Sequence, residues 1–215
     1  MLTGCQSQPS VAAYVGNTRI TVDQVNKIVD DYDATSRANQ GGGLADTSFG
    51  NAREAVLSDL VLTEAVKHYI DDQKLNAPPV DVEAAAQALG QPASSLYVNL
   101  FAETQAYFNM IASTSKAAQP TDADLREIYD RIPHGDVSYD SAKPQIAAIA
   151  HLAEAIGARN DIEKMFSRYH VVMNPQYRGT TFHVYSPQLS DGSTIPLVVA
   201  PLGTGTDDSD FVSSS

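Results

Sequence analysis

The sequence predicts a mainly α-helical domain whose short β-strands, placed at both ends, pair with each other and close the chain. Three observations carry this. Between residues 21 and 168, apolar side chains recur at helical spacing in segments separated by glycine and proline breaks. Before them stands Val11-Ala12-Ala13-Tyr14-Val15 and after them His170-Val171-Val172-Met173, both short, apolar and bounded by turn residues, as buried strands are. With 215 residues, 43% of them hydrophobic, the chain is long enough to bury a real core.

Taken in order, Gly16-Asn17 forms a tight turn after the first strand, and Arg19-Ile20 returns as a brief second one. Thr21 is the N-cap of a first helix, with Asp23 at the positive end of its dipole and Val22, Val25, Ile28, Val29 and Tyr32 on its apolar face. The pattern fades near Ser36, and Gly41-Gly42-Gly43 is a linker. A second helix covers residues 51–74, its stripe running through Val56 or Leu57, Leu60, Val61, Ala65, Tyr69 and Ile70. Pro78-Pro79 ends it, and Asp81 caps a short helix over residues 82–89.

After Gly90-Gln91-Pro92, Ser94 or Ser95 opens a long helix with Tyr97, Phe101, Thr104, Phe108 and Ile111 on one face, widened by Leu100 and Tyr107. Thr121-Asp122-Ala123-Asp124 has the form of a capping box ahead of Leu125, Ile128 and Tyr129. Pro133-His134-Gly135 stops that helix. A last long helix spans residues 141–168, with Pro144 near its first turn and Ile146, Ile149, Ala153, Ile156, Ile162, Met165 and Phe166 on its buried side. Residues 182–185 and 195–199 are two further strands, separated by Ser190-Asp191-Gly192. The small, acidic, polar end is expected to be disordered. The domain boundaries expected are residues 1–10 for a tether, 11–179 for the helical domain, 180–202 for a β extension and 203–215 for the tail.

A net charge of −12 and a pI near 4.6 argue against nucleic acid, which needs clustered Lys and Arg, and against adhesion to anionic lipid. No run approaches the ~20 apolar residues of a membrane span. Attachment to a membrane, if any, is therefore covalent. Cys5, the single cysteine, follows Leu2-Thr3-Gly4, and this stretch resembles the lipobox of bacterial lipoproteins. The resemblance implies a diacylglycerol group on the Cys5 thiol, cleavage just before it, and a secretory signal ahead of it, where only Met1 stands here. Gln6-Ser7-Gln8-Pro9-Ser10 then serves as a polar tether. Lipidation contributes ~0.8 kcal/mol per buried methylene, so the acidity of the chain does not oppose such an anchor. The expected location is extracytoplasmic, anchored by lipid to the bacterial cell membrane.

The order of motifs is similar to that of SurA-type and PrsA-type extracytoplasmic chaperones. Residues 11–20, followed by Thr21 and an amphipathic helix, resemble the family's opening, with the turn pair reversed to Gly16-Asn17. Residues 53–84 resemble its second helix and the entry to a short third one. Pro120-Thr121-Asp122-Ala123-Asp124 with Tyr129 looks like the helix that precedes the prolyl-isomerase insert. Val171-Val172-Met173-Asn174-Pro175-Gln176-Tyr177 resembles the closing strand, with Gln176 in place of the usual arginine and Arg178 before Gly179. The resemblance covers residues 11–179 and implies a chaperone module that binds unfolded or exported polypeptides. Residues 133–140 are too few to hold a parvulin domain, so isomerase activity is not expected.

Nothing else in the sequence points to catalysis, a metal or a cofactor. His68, His134, His151, His170 and His183 show no i, i+4 pair, and no cysteine stands beside them. His68 and His151 are expected at helix surfaces or edges. Gly41-Gly42-Gly43 lacks the lysine of a phosphate loop, and Asp30-Asp31-Asp33 lacks the glycine and distal glutamate of a calcium loop. That acidic cluster and Asp207-Asp208-Asp210 are expected to be solvated. The aromatic stripe Tyr97, Phe101, Tyr107 and Phe108, with Met110 at its edge, has two readings. One is helix–helix core; the other is a partly open apolar surface for unfolded clients. The expectation for function is a lipid-anchored chaperone-like protein, with an adaptor that holds one envelope partner as the alternative.

Overall fold

The computed structural model describes residues 10–38, 52–188 and 194–203. Cys5 and its tether, the glycine linker, the Ser190-Asp191-Gly192 turn and the tail from residue 204 onward lie outside the described residues. Within them the protein is mainly helical, with two small antiparallel sheets.

Strand β1 (Val11–Val15) is buried along its entire length, which explains why its sequence is apolar at every position instead of alternating. It pairs with β2 (Thr18–Thr21) through a turn in which Gly16 adopts the left-handed conformation at φ +57°. On its other side β1 pairs with β3 (Val171–Met173), Tyr14 lying opposite Val172, so the sheet order is β2-β1-β3. The two ends of the helical body are thus joined as the sequence predicts. Asn174 secures the junction: its backbone N–H donates to the Ala12 carbonyl at 2.9 Å, and its side-chain amide donates to the Val11 carbonyl at 2.7 Å.

Helix α1 (Val22–Ala38) starts at Thr21, whose hydroxyl accepts the Gln24 N–H at 3.0 Å. Helix α2 (Ala52–Gln73) is the centre of the body, touching α1 and β1 as well as elements described below. Its buried arc is wide, taking in Val56, Leu57, Val61, Leu62, Ala65, Val66 and Ile70. Helix α3 (Val82–Leu89) is capped at its start by Asp81, which accepts the Ala84 N–H, and at its end by Gly90 in the left-handed region.

Helix α4 (Leu96–Thr114) starts where predicted but is capped differently. The Ser95 hydroxyl makes no cap bond; it donates to Asp31 at 2.9 Å, and the same carboxylate oxygen accepts the Leu96 N–H at 2.7 Å. Asp31 was expected in a solvated cluster; instead it caps α4 from α1. A carboxylate there satisfies an otherwise orphan amide and opposes the positive end of the helix dipole.

Helix α5 (Asp122–Arg131) opens with the expected capping box, Thr121 and Asp124 each receiving the other's backbone N–H. The single helix predicted over residues 141–168 is two helices, α6 (Tyr139–Ala147) and α7 (Leu152–Arg168). The first begins two residues earlier than expected, which places Pro144 inside it; with a helical donor removed there, α6 ends within one turn. His151 then takes a left-handed conformation at φ +59° and serves as the exposed N-cap residue of α7, at a helix edge. At Gly157, α7 lies directly on the Lys116 carbonyl, and any Cβ would collide with that backbone. Arg159 ties α7 to the capping box, 2.7 Å from Asp124 with Glu163 and Glu127 around it. Burial would push the Asp124 carboxyl up, but the bonds from Thr121 and Arg159 outweigh it and hold it below the usual range.

The chain ends in a hairpin of β4 (Thr181–Tyr185) and β5 (Val198–Pro201). The latter lies three residues further along at its start than the expected 195–199, because Pro196 has no N–H to donate and regular pairing begins beyond it. Phe182, Val184, Leu197, Val198 and Ala200 join the main core, so the extension packs into the helical body against α7 and, through β4, against α2.

Candidate functional site

Helix α4 presents Tyr97, Phe101, Thr104 and Phe108 on successive turns of one face, and all four line a cavity of about 580 Å³. Opposite them, α2 contributes Glu54, Ser58 and Asp59. The third wall is the β4 edge with its approach, notably Phe182 and His183, together with Thr194 and Pro196 from the return segment. Phe108 and Phe182 meet across the cavity with ring centroids 5.7 Å apart, and Tyr97 packs edge-on against Tyr32 behind it at 5.0 Å.

The aromatic stripe therefore divides between its two readings. Tyr97 and Tyr107 are core residues, 3% and 5% exposed, although the inner edge of Tyr97 still borders the cavity. Phe101 and Phe108 are half-buried and form its apolar wall. Met110 packs half-buried against the core and does not line the cavity.

Asp59 was not singled out from the sequence, yet it is the most unusual group in the site. Asp59 is half-buried and turns part of its surface towards the cavity. Burial alone pushes the carboxyl up to about 8, from an ordinary 3.8. It is thus largely protonated at neutral pH and able to donate as well as accept a hydrogen bond. Burial, then Asp59 and then Tyr32, also push the Tyr97 phenol upward. Burial, then Arg131, lowers His183 from its ordinary 6.5, which keeps the imidazole neutral near pH 7.

Thr104, 2% exposed, has a buried hydroxyl with no hydrogen-bond partner among the described residues. Ser58, by contrast, is engaged, donating to the Ala55 carbonyl at 2.8 Å. Among the described residues the cavity is lined by no lysine or arginine.

The other sequence candidates lie elsewhere. His68 is half-buried on α2 and stacks on Tyr169 with centroids 5.6 Å apart, a contact that packs α2 against the end of α7. His134 stacks on Tyr129 at 3.9 Å in the turn after α5. Among the described residues, no group of three His, Cys, Asp or Glu side chains is placed to hold a metal ion, and no helix is long and apolar enough to cross a membrane. A size of about 580 Å³, an aromatic wall and a few convergent polar groups are the attributes of a ligand pocket. No family model, curated protein or solved structure matches the chain.

Proposed function

We propose that this is an extracytoplasmic protein, anchored by lipid on Cys5, that binds segments of unfolded or exported polypeptides without catalysing a reaction on them. The observation that carries the reading is the cavity between α2, α4 and the terminal hairpin, where Phe101, Phe108 and Phe182 offer apolar surface to a guest. Unfolded chains have exposed aromatic and aliphatic side chains in common, and a rigid aromatic wall accepts them at little entropic cost. The order of sequence motifs shared with SurA-type chaperones supports it as well. Between α5 and α6 stand only residues 132–138, too few for an isomerase domain.

The test is suppression of aggregation of denatured clients at near-stoichiometric ratio by the soluble domain, compared with a Phe108→Asp variant. Suppression that the variant loses supports the reading; no suppression across several clients sinks it. Measurable turnover of a standard proline peptide would overturn the non-catalytic part.

The size of the cavity favours a second reading. At about 580 Å³ it holds a few side chains and not a long segment, as suits an adaptor that grips one specific envelope partner. Crosslinking in cells separates the two: many products mark a chaperone, one dominant product an adaptor.

A further inference from the structure

We propose that the cavity receives an organic ammonium or guanidinium group, which pairs with the Asp59 carboxylate between the rings of Tyr97, Phe101, Phe108 and Phe182. The ligand is either a free alkylamine or alkylguanidine, or the tip of a Lys or Arg side chain on a bound polypeptide. The second source rests on the client-binding reading above; the first does not.

Charge complementarity points to a cation. The Asp59 carboxyl lines the cavity, and no lysine or arginine among the described residues does. A half-buried carboxylate with no opposite charge beside it is costly, and desolvation is the one cause that shifts Asp59. An incoming cation supplies the missing charge. Aromatic faces around a desolvated cation add a cation–π attraction of their own. Thr104, buried on the same wall with its hydroxyl unpartnered among the described residues, offers an acceptor for an N–H of the guest. An anion finds no lysine or arginine among the described lining residues to receive it.

The titratable groups that line the cavity with Asp59 are Glu54 on its own helix, Tyr97 on α4 and His183 on β4, with Arg131 acting on His183. His183 sits below its ordinary 6.5 and Tyr97 above its ordinary 10.0, so neither changes charge between about pH 7 and about pH 8.5. Asp59 does ionise across that interval, and cation binding therefore releases a proton from it at the lower pH.

The experiment is calorimetric titration of the folded protein with n-butylamine and n-butylguanidine in one arm. The other arm uses the tripeptides Gly-Lys-Gly and Gly-Arg-Gly, blocked at both ends, with blocked Gly-Gln-Gly as neutral control. Binding in at least one arm is expected, with the neutral control not bound, proton uptake by the buffer at about pH 7, and affinity rising roughly fivefold or more to about pH 8.5. Asp59→Asn, which keeps the shape and removes the charge, is expected to lower affinity at least about tenfold, the loss of a charge-assisted contact. Binding of the free amines without the peptides assigns the site to small cations, and binding of the peptides alone assigns it to basic side chains. No binding in either arm, equal binding of the glutamine peptide, unchanged affinity in Asp59→Asn, or affinity that falls with pH would overturn the proposal. Client aggregation assays on the same samples keep the readings apart: suppression by the unsubstituted protein with no cation binding in either arm leaves the chaperone reading intact and removes this one.

Discussion

Asp59→Asn is expected to stabilise the protein at neutral and alkaline pH, and by an amount that depends on pH in a defined way. Burial raises the Asp59 carboxyl to about 8 from an ordinary 3.8. A carboxyl raised on folding keeps its proton in the folded chain after the unfolded chain has released it. Stability from this group is therefore unimpaired below the ordinary value and declines as pH rises towards 8, then levels off. The decline is about 1.36 kcal/mol per pH unit, which by pH 7 sets a ceiling of roughly 4 kcal/mol. Asparagine keeps the shape without the ionisation, but its amide must also be accommodated, so a net gain of about 2–4 kcal/mol at pH 7 is expected. Urea unfolding of both proteins at several pH values checks this, and their difference cancels the titration of all other groups. The gain should grow between about pH 4 and about pH 8 and vanish at the acid end, where only the cost of accommodating the amide remains. Parallel pH profiles, or a variant less stable at pH 7, would refute the assignment of a buried, uncompensated carboxyl.

Three further substitutions test the frame around the cavity, each by urea or thermal unfolding. Gly157→Ala should cost about 1–3 kcal/mol or more despite the better helix propensity of alanine, because the new Cβ meets the Lys116 carbonyl of fixed backbone; a neutral or stabilising effect would show that α7 does not make this close approach. Arg159→Ala should cost about 3–5 kcal/mol by leaving Asp124 without its buried partner. Because Asp124 is held below its ordinary range, the stability tied to it is present above about pH 4 and lost as pH falls further, and Arg159→Ala should weaken that acid-side loss. Asn174→Ala should cost roughly 1–3 kcal/mol, since the buried Val11 carbonyl loses its amide donor and the β1–β3 closure loosens.

Much of the frame was legible in the residues themselves. Strict i, i+4, i+7, i+11 spacing placed Tyr97, Phe101, Thr104 and Phe108 on one face, and the structure puts all four on the cavity wall. The Thr121–Asp124 box, the Asp81 cap and the pairing of the first strand with residues 171–173 were readable because each is set by local chemistry or by an apolar run with nowhere else to go. Asp59 escapes the sequence pattern because the apolar stripe of α2 runs through Leu60 and Val61, whereas the helix buries a wider arc. The signal was present: Asp59 stands three residues after Val56 and four before Thr63, both buried, so it lies on an inward face. The break before α7 was hidden by its alanine-rich sequence and by a left-handed histidine, which no local pattern announces. The third cavity wall and the capping of α4 by Asp31 depend on which elements meet in space, and sequence spacing does not encode that.

Photo-crosslinking from the cavity tests the central claim most directly. A benzoylphenylalanine placed at Phe108, inside the cavity, is compared with one at Val137, which is 50% exposed on the loop between α5 and α6 and does not line the cavity. With a denatured client present, crosslinks should form from position 108 and fall when Phe101 is replaced by aspartate, while position 137 gives none. Equal labelling from both positions, or labelling from 137 alone, would contradict a role for the cavity in holding polypeptide.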